Sequence, residues 1–170
     1  DDGWIGRGAE YLSQRLKRPV TLMNDADAAG VAEMAWGIGR DHPARSGVVI
    51  LLTFGTGIGS AVFTNGELVS NTELGHLQMW DDSAEVRASS NAKDSEKLTW
   101  EEWAERVSAY LQYVEALFWP QLFIFGGGVS RKHEKFLHLL ETRTPIVPAA
   151  LRNNAGIAGV ALAASRGEQP

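Results

Sequence analysis

One stretch decides most of what this chain can become. Val48-Val49-Ile50-Leu51-Leu52-Thr53-Phe54 is a nearly unbroken apolar run, rich in β-branched residues, and it ends in Gly55-Thr56-Gly57-Ile58-Gly59. A run without polar alternation suits a strand covered on both faces, so it predicts a sheet with layers on either side. The glycines allow positive φ and let a ligand approach the backbone closely. Successive free N–H groups in such a turn make an anion-binding concavity, to which Thr56 adds a hydroxyl. Taken alone, glycines between two strands more often mark a tight turn than a phosphate cradle, so their neighbours have to decide. The chain resumes as a strand over 60–63 and turns at Asn65-Gly66, a strong hairpin signal, after which 67–69 pairs back.

The rest of the composition narrows the field. A chain of 170 residues fits one domain, or one lobe of a larger protein, and buries roughly 70% of its unfolded surface. A formal net charge of -5 gives no general attraction to nucleic acid or to acidic membranes, so neither is an expected partner. The sequence has no cysteine, which excludes disulfides and thiolate metal sites and fits a cytoplasmic protein. No apolar run approaches the roughly 20 residues of a membrane span.

Along the chain, apolar spacings of three and four predict an amphipathic helix over 4–17, closed by Arg18-Pro19. A short strand over 20–23 then delivers Asn24-Asp25-Ala26-Asp27-Ala28-Ala29, and an alanine-rich helix follows over 26–36. Asp25 has two readings: an N-cap contributing about 1 kcal/mol, or a carboxylate at a strand end, facing the crevice where α/β proteins do chemistry. His42 reads as a solvated loop residue. Glu73 and His76 lie three apart beside a glycine, a spacing at which one short turn points both at the same ligand.

Residues 78–97 are irregular and predict a partial helix or a mobile flap. Thr99-Trp100-Glu101-Glu102 is a capping box. The helix behind it carries Trp103, Val107, Tyr110, Leu111, Val114, Leu117 and Phe118 on one stripe, read as core or subunit interface, until Pro120 stops it. A second buried strand over 121–125 runs into Gly126-Gly127-Gly128, before a helix over 132–140 whose N-terminus favours phosphate. After an extended segment over 145–148, an alanine-glycine helix over 155–164 carries Gly156 and Gly159, spaced for a close backbone contact. Arg131, Lys132, Lys135, Arg143 and Arg152 form a basic cluster, the first place to look for a long polyanion.

Three signals in this order carry a family resemblance: Asn24-Asp25-Ala26-Asp27-Ala28-Ala29; then Leu52-Thr53-Phe54-Gly55-Thr56-Gly57-Ile58-Gly59-Ser60 with Glu73-Leu74-Gly75-His76; then Gly126-Gly127-Gly128-Val129-Ser130. Together they resemble the sugar kinases of the repressor, open-reading-frame and kinase (ROK) family. Trp100-Glu101-Glu102-Trp103, Val114-Glu115-Ala116-Leu117-Phe118 and the stretch 144–153 are similar to the polyphosphate glucokinase branch of that family. The resemblance implies an α/β, actin- and hexokinase-like (ribonuclease H-like) lobe with a mixed central sheet flanked by helices. Family kinases begin with an N-terminal lobe carrying an Asp-x-Gly-Gly phosphate loop that nothing here matches, so 1–170 is expected to be the C-terminal domain of such a kinase.

The implied reaction is phosphorylation of glucose at its 6-hydroxyl from inorganic polyphosphate, ATP or both, in a cytoplasmic homodimer. The resemblance makes Asp25 the proton acceptor, and gives Asn24, Glu73 and His76 to the sugar hydroxyls. Gly55, Thr56 and Gly57 would line the transferring phosphates. Gly126, Gly127 and Gly128 would border the nucleotide or further phosphate units. Magnesium is expected with the donor. Many family members hold zinc in a cysteine-rich segment; with no cysteine here, no zinc is expected. Two alternatives stay open on the same scaffold: an ATP-dependent kinase for another hexose such as mannose, and a non-catalytic sugar-sensing repressor, which would need a helix-turn-helix segment.

Overall fold

A computed structural model describes residues 8–79, 81–151 and 154–166. The chain forms helix α1 (Ala9–Leu16) and helix α2 (Asp25–Trp36), then strands β1 (Val48–Phe54), β2 (Ile58–Thr64) and β3 (Glu67–Val69). Two short strands, β4 (Gln78–Met79) and β5 (Asp82–Ser83), lead into helices α3 (Ala84–Ala88), α4 (Ser90–Ser95) and α5 (Trp100–Phe118). Strand β6 (Leu122–Gly126), strand β7 (Ile146–Pro148) and helix α6 (Ala155–Arg166) complete it.

The apolar run becomes the middle strand of a mixed five-stranded sheet in the order β3-β2-β1-β6-β7. Strand β1 pairs antiparallel with β2, from Val48 opposite Thr64 to Phe54 opposite Ile58, and parallel with β6, from Val49 beside Leu122 to Thr53 beside Gly126. Period-two alternation sends Ile50, Leu52 and Phe54 to one face and Val49 and Leu51 to the other, and both faces are covered. On the first face lies α5, whose Trp103, Val107, Tyr110, Leu111 and Val114 are fully buried. Phe54 stacks on Phe125 at 4.2 Å, and Trp103 and Phe136 close an aromatic cluster beneath the ends of β1 and β6. On the other face lies α2, with Val31 and Met34. Because β1 and β6 are parallel, their C-terminal ends lie side by side, and each runs straight into a glycine bend.

The capping box forms as expected. Thr99 Oγ1 accepts from the Glu102 N–H at 3.2 Å, and Glu102 Oε2 accepts from the Thr99 N–H at 2.8 Å. Thr99→Ala removes half of it and is expected to lower stability by about 1 kcal/mol, read from the shift in a urea unfolding midpoint. The hairpin at Asn65-Gly66 also forms, with φ of 53° and 83° at its two central residues, the left-handed pair of a type I′ turn.

Several expectations are corrected. Residues 20–23 are not a strand: a strand needs a ladder neighbour, and here the Val20 N–H bonds the Ser13 hydroxyl at 2.9 Å instead. His42 is not a free loop side chain; its Nδ1 accepts from the Ala44 N–H at 3.2 Å and caps the 3-10 turn Pro43–Ser46. The partial helix expected in 78–97 is present, by contrast: β4 and β5 are followed by the short helices α3 and α4, which bury Ala84, Ala88 and Ala92. Residues 132–140 are not an α-helix. Residues 132–135 and 137–139 belong to the 3-10 segments Gly128–Lys135, kinked at Lys132, and Leu137–Leu139, and Phe136 between them turns inward to the aromatic cluster. The segment after the second glycine bend therefore does not begin an α-helix, whereas Ala155 and Gly156, the first residues of α6, line the same cavity as Gly127 and Gly128. Leu117 leaves the buried stripe of α5 and is exposed, while the rest of that stripe is core rather than a free subunit interface. Residues 4–7 of the first predicted helix, Arg152 of the basic cluster and Asn153 lie outside the described residues.

The C-terminal helix packs where its small residues allow. A Cβ at Gly159 would sit 1.7 Å from the carbonyl oxygen of Ala28, so α6 lies with its backbone directly against α2. Gly156, by contrast, faces open space.

Candidate active site

The site begins at the entry to α2. Asn24 is the cap: its Oδ1 accepts from the N–H groups of Ala26 at 2.8 Å and Asp27 at 3.3 Å. That leaves Asp25, the first helical residue, free of the capping role and exposed on the wall of a cavity. Of the two readings of Asp25, the geometry discards the cap.

The amide nitrogen of Asn24 donates to Glu73 Oε1 at 3.1 Å, joining groups 49 positions apart. Glu73 is held from below. The Leu74 N–H donates to the Ser60 hydroxyl at 3.0 Å, and Gly75 packs so tightly that a Cβ there would lie 2.2 Å from the Ile58 carbonyl oxygen. Asp27, fully buried, accepts from the Asn71 N–H at 2.8 Å and so fixes the turn that precedes Glu73. Burial pushes its carboxyl above the usual range, the Asn71 bond opposes this, and the charge of Glu73 adds to the rise.

The first glycine bend needs space rather than unusual dihedrals. None of Gly55, Gly57 and Gly59 has positive φ. A Cβ at Gly57 would meet Glu85 Oε2 at 2.2 Å, and one at Gly59 would meet Thr53 Oγ1 at 2.6 Å, whereas one at Gly55 would meet nothing within 4 Å. The bend is closed by the Gly55 N–H donating to the Gly57 carbonyl at 3.0 Å and by the Ile58 N–H donating to Glu85 Oε2 at 3.1 Å. In the second bend Gly127 does have positive φ, 83°, and a Cβ there would lie 2.4 Å from the Phe54 carbonyl oxygen. Only glycine fits there. Gly128 beside it is open.

These pieces surround one cavity of about 530 Å³. Asn24, Asp25, Glu73, Gly55, Thr56, Gly57, Gly127 and Gly128 all line it. Two predicted residues do not. Gly126 is the buried last residue of β6, with its Cα side against Thr53, and His76 stands outside the wall with Nε2 3.5 Å from Glu85 Oε1. Glu85 was absent from the sequence-derived site. It lines the cavity, ties down the glycine bend and faces His76, and its only sequence signal is an acidic residue in an irregular stretch. Among the described residues the lining carries three carboxylates, Asp25, Glu73 and Glu85, and no lysine or arginine. Such a wall offers many acceptors to a polyol and little charge compensation to a phosphate.

The basic cluster divides. The Arg143 guanidinium lies over the Trp119 ring at 3.7 Å, a pairing that holds it away from the cavity. Arg131 and Lys132 instead line a second, smaller cavity beside the first.

A two-layered crevice at the C-terminal ends of adjacent parallel strands, bounded by glycine bends and a helix-entry carboxylate, defines a sugar-kinase-like domain, and comparison with known proteins agrees. The model of the ROK family matches residues 9–90, just under half of this chain. It is 52% identical over 169 residues to the polyphosphate glucokinase of Mycobacterium tuberculosis (strain CDC 1551 / Oshkosh), covering 96% of this chain and 61% of that protein. It is 50% identical over 167 residues to the polyphosphate glucokinase of Mycobacterium leprae, covering 97% of this chain and 51% of that one. The crystal structure of the inorganic polyphosphate/ATP-glucomannokinase from Arthrobacter sp. strain KM superposes with a TM-score of 0.87 at 46% identity, over 94% of this chain and 62% of that chain. The chain thus spans between half and two-thirds of the length of these relatives. The fold is the expected actin- and hexokinase-like one.

Proposed function

We propose that this chain is the C-terminal domain of a kinase that phosphorylates glucose at its 6-hydroxyl, with inorganic polyphosphate, ATP or both as donor. The observation that carries the reading is the single cavity in which Asn24, Asp25 and Glu73 face the bends at Gly55–Gly57 and Gly127–Gly128. The names of the mycobacterial and Arthrobacter relatives support the choice of sugar and donors. Since those relatives are longer than this chain, the activity is proposed for the full-length enzyme.

Asp25 takes the proton of the 6-hydroxyl as that oxygen attacks the terminal phosphorus. The new oxygen–phosphorus bond forms as the phosphoanhydride bond breaks, and the shortened donor leaves with the electron pair. Asn24 and Glu73, already bonded to each other, present the remaining donor and acceptor capacity to neighbouring sugar hydroxyls. Glu85 positions the first glycine bend, and His76 acts on the site through Glu85. Gly55, Thr56, Gly127 and Gly128 leave room for phosphate against the backbone; Gly126 supports that bend from behind. Among the described residues no group of three or more His, Asp or Glu is placed to hold a metal. Magnesium is proposed to arrive on the donor phosphates, whose charge it would neutralise against the acidic wall.

The test is a split of kinetic constants in the full-length enzyme. Glu73→Gln removes a charged acceptor and is expected to raise the KM for glucose by about tenfold or more, leaving the donor KM within about twofold. His76→Ala, one residue further out, is expected to move the same constant by less. Equal weakening of sugar and donor would assign these residues to the fold instead.

A further inference from the structure

Residues 70–73 join β3 to the 3-10 turn Leu74–His76 and belong to no ladder or helix, yet they carry Glu73, one of the carboxylates on the cavity wall. A segment of this kind is ordinarily mobile. Here the residues on both sides of Glu73 are anchored by two buried polar side chains from regular elements. Ser60, on β2 and 1% exposed, donates its hydroxyl to the Thr72 carbonyl at 2.6 Å and accepts from the Leu74 N–H at 3.0 Å. Thr72 returns a bond, its Oγ1 donating to the Ser60 carbonyl at 3.2 Å. Asp27, on α2, accepts from the Asn71 N–H at 2.8 Å. Residues 71, 72 and 74 are thereby fixed to α2 and β2, and Asn24 holds the carboxylate of Glu73 itself at 3.1 Å. Folding alone does not favour such anchors, because a buried polar group costs free energy wherever one of its atoms goes unbonded. Asp27 Oδ1 has no hydrogen-bond partner among the described residues, and the charge of Glu73 opposes that of Asp27. A local cost of this kind is expected where function, not packing, sets the residue.

We propose that Ser60 and Asp27 are positioning residues for sugar binding: they clamp the turn 71–74 so that the Glu73 carboxylate stands beside Asn24 before the sugar arrives. On the kinase reading above, on which this rests, Glu73 meets sugar hydroxyls and takes no part in proton or phosphoryl transfer. The two anchors therefore act on glucose affinity, by sparing the sugar the ordering of the turn, and leave the chemical step and the donor alone.

Steady-state kinetics of the full-length enzyme test this. Ser60→Ala and Asp27→Ala are each expected to raise the glucose KM by about tenfold, while kcat and the donor KM move by less than about threefold. Asp27→Asn keeps an acceptor for the Asn71 N–H and is expected to hold the glucose KM within about threefold of wild type. Ser108→Ala is the control: it deletes another buried hydroxyl that accepts a backbone N–H, from Glu141 at 3.0 Å, but one that anchors the 141 segment rather than the Glu73 turn. Its glucose KM should stay within about twofold of wild type. If Ser60→Ala fails to fold, Thr72→Val, at a partly buried position, removes the bond returned to Ser60 and is expected to raise the same constant by about three- to fivefold. The proposal is overturned if these clamp variants leave the glucose KM at its wild-type value, if glucose and donor KM rise alike, or if kcat alone falls, as loss of folded enzyme would give. It is equally overturned if Ser108→Ala raises the glucose KM as much, or if Asp27→Asn loses as much as Asp27→Ala. Failure of the kinase reading shows differently: wild-type enzyme transfers phosphate to glucose from no donor. The clamp is then judged by a crystal structure of Ser60→Ala, in which Glu73 Oε1 is expected out of hydrogen-bond reach of Asn24; an unmoved carboxylate overturns it.

Discussion

Asp25→Asn in the full-length enzyme is expected to cut turnover by about a hundred- to ten-thousandfold while leaving the affinity for glucose nearly intact. The substitution keeps the size of the side chain and its place as first residue of α2, and it does not touch the cap, since Asn24 holds the Ala26 and Asp27 N–H groups. Asparagine retains an acceptor for the sugar hydroxyl but cannot take up its proton. Loss should therefore fall on kcat, with the glucose KM little changed. A variant that keeps near-normal turnover would remove Asp25 from the base role, and Glu85 or Glu73, the other carboxylates on the wall, would be the next to test.

Gly159→Ala is expected to destabilise the chain by about 3 kcal/mol, at the upper end of what overpacking costs in a close-packed interior. The added methyl would lie 1.7 Å from the Ala28 carbonyl oxygen, 2.5 Å from its carbon and 3.0 Å from its Cα, all backbone, so no side chain can swing away. Either α6 lifts or α2 shifts. Because Ala28 is about one turn from Asp25, a shift of α2 also moves the carboxylate, so protein that still folds should lose turnover as well. Gly156→Ala on the same helix is the control. Its Cβ meets nothing within 4 Å, and stability should be unchanged or slightly raised. Denaturant midpoints for the two variants give the comparison directly; equal midpoints would show that the α2–α6 contact is looser than described.

What the sequence made legible was whatever a local pattern dictates. An apolar run reads as a doubly covered strand wherever it occurs, and Asn65-Gly66 and Thr99 to Glu102 are turn and cap chemistry that needs no distant partner. The order of the site motifs was legible too. Their division of labour was not. Asn24 and Asp25 are equally good capping residues, and what separates them is the Asn24 bond to Glu73 across the fold. Glycine in a sequence does not say whether it is needed for dihedral freedom or for space: Gly127 needs both, while Gly57 and Gly59 need only room beside Glu85 and Thr53. Residues 132–140 carry a helix-like apolar spacing in Phe136, Leu137 and Leu140, yet Phe136 is buried among Trp100, Trp103 and Phe125 and the segment runs as 3-10 turns. Glu85 was hidden because its role depends entirely on the fold of 78–97. There the four-residue spacing of Ala84, Ala88 and Ala92 was the available helical signal.

The most direct measurement is a crystal structure of the full-length enzyme with glucose and a non-hydrolysable donor. The account predicts one carboxylate oxygen of Asp25 about 2.6–3.2 Å from the 6-oxygen of the sugar, with that oxygen in turn facing a phosphorus held against the Gly55 and Gly127 bends. A sugar bound in another cavity, or one bound here with its 6-hydroxyl turned away from Asp25, would contradict it.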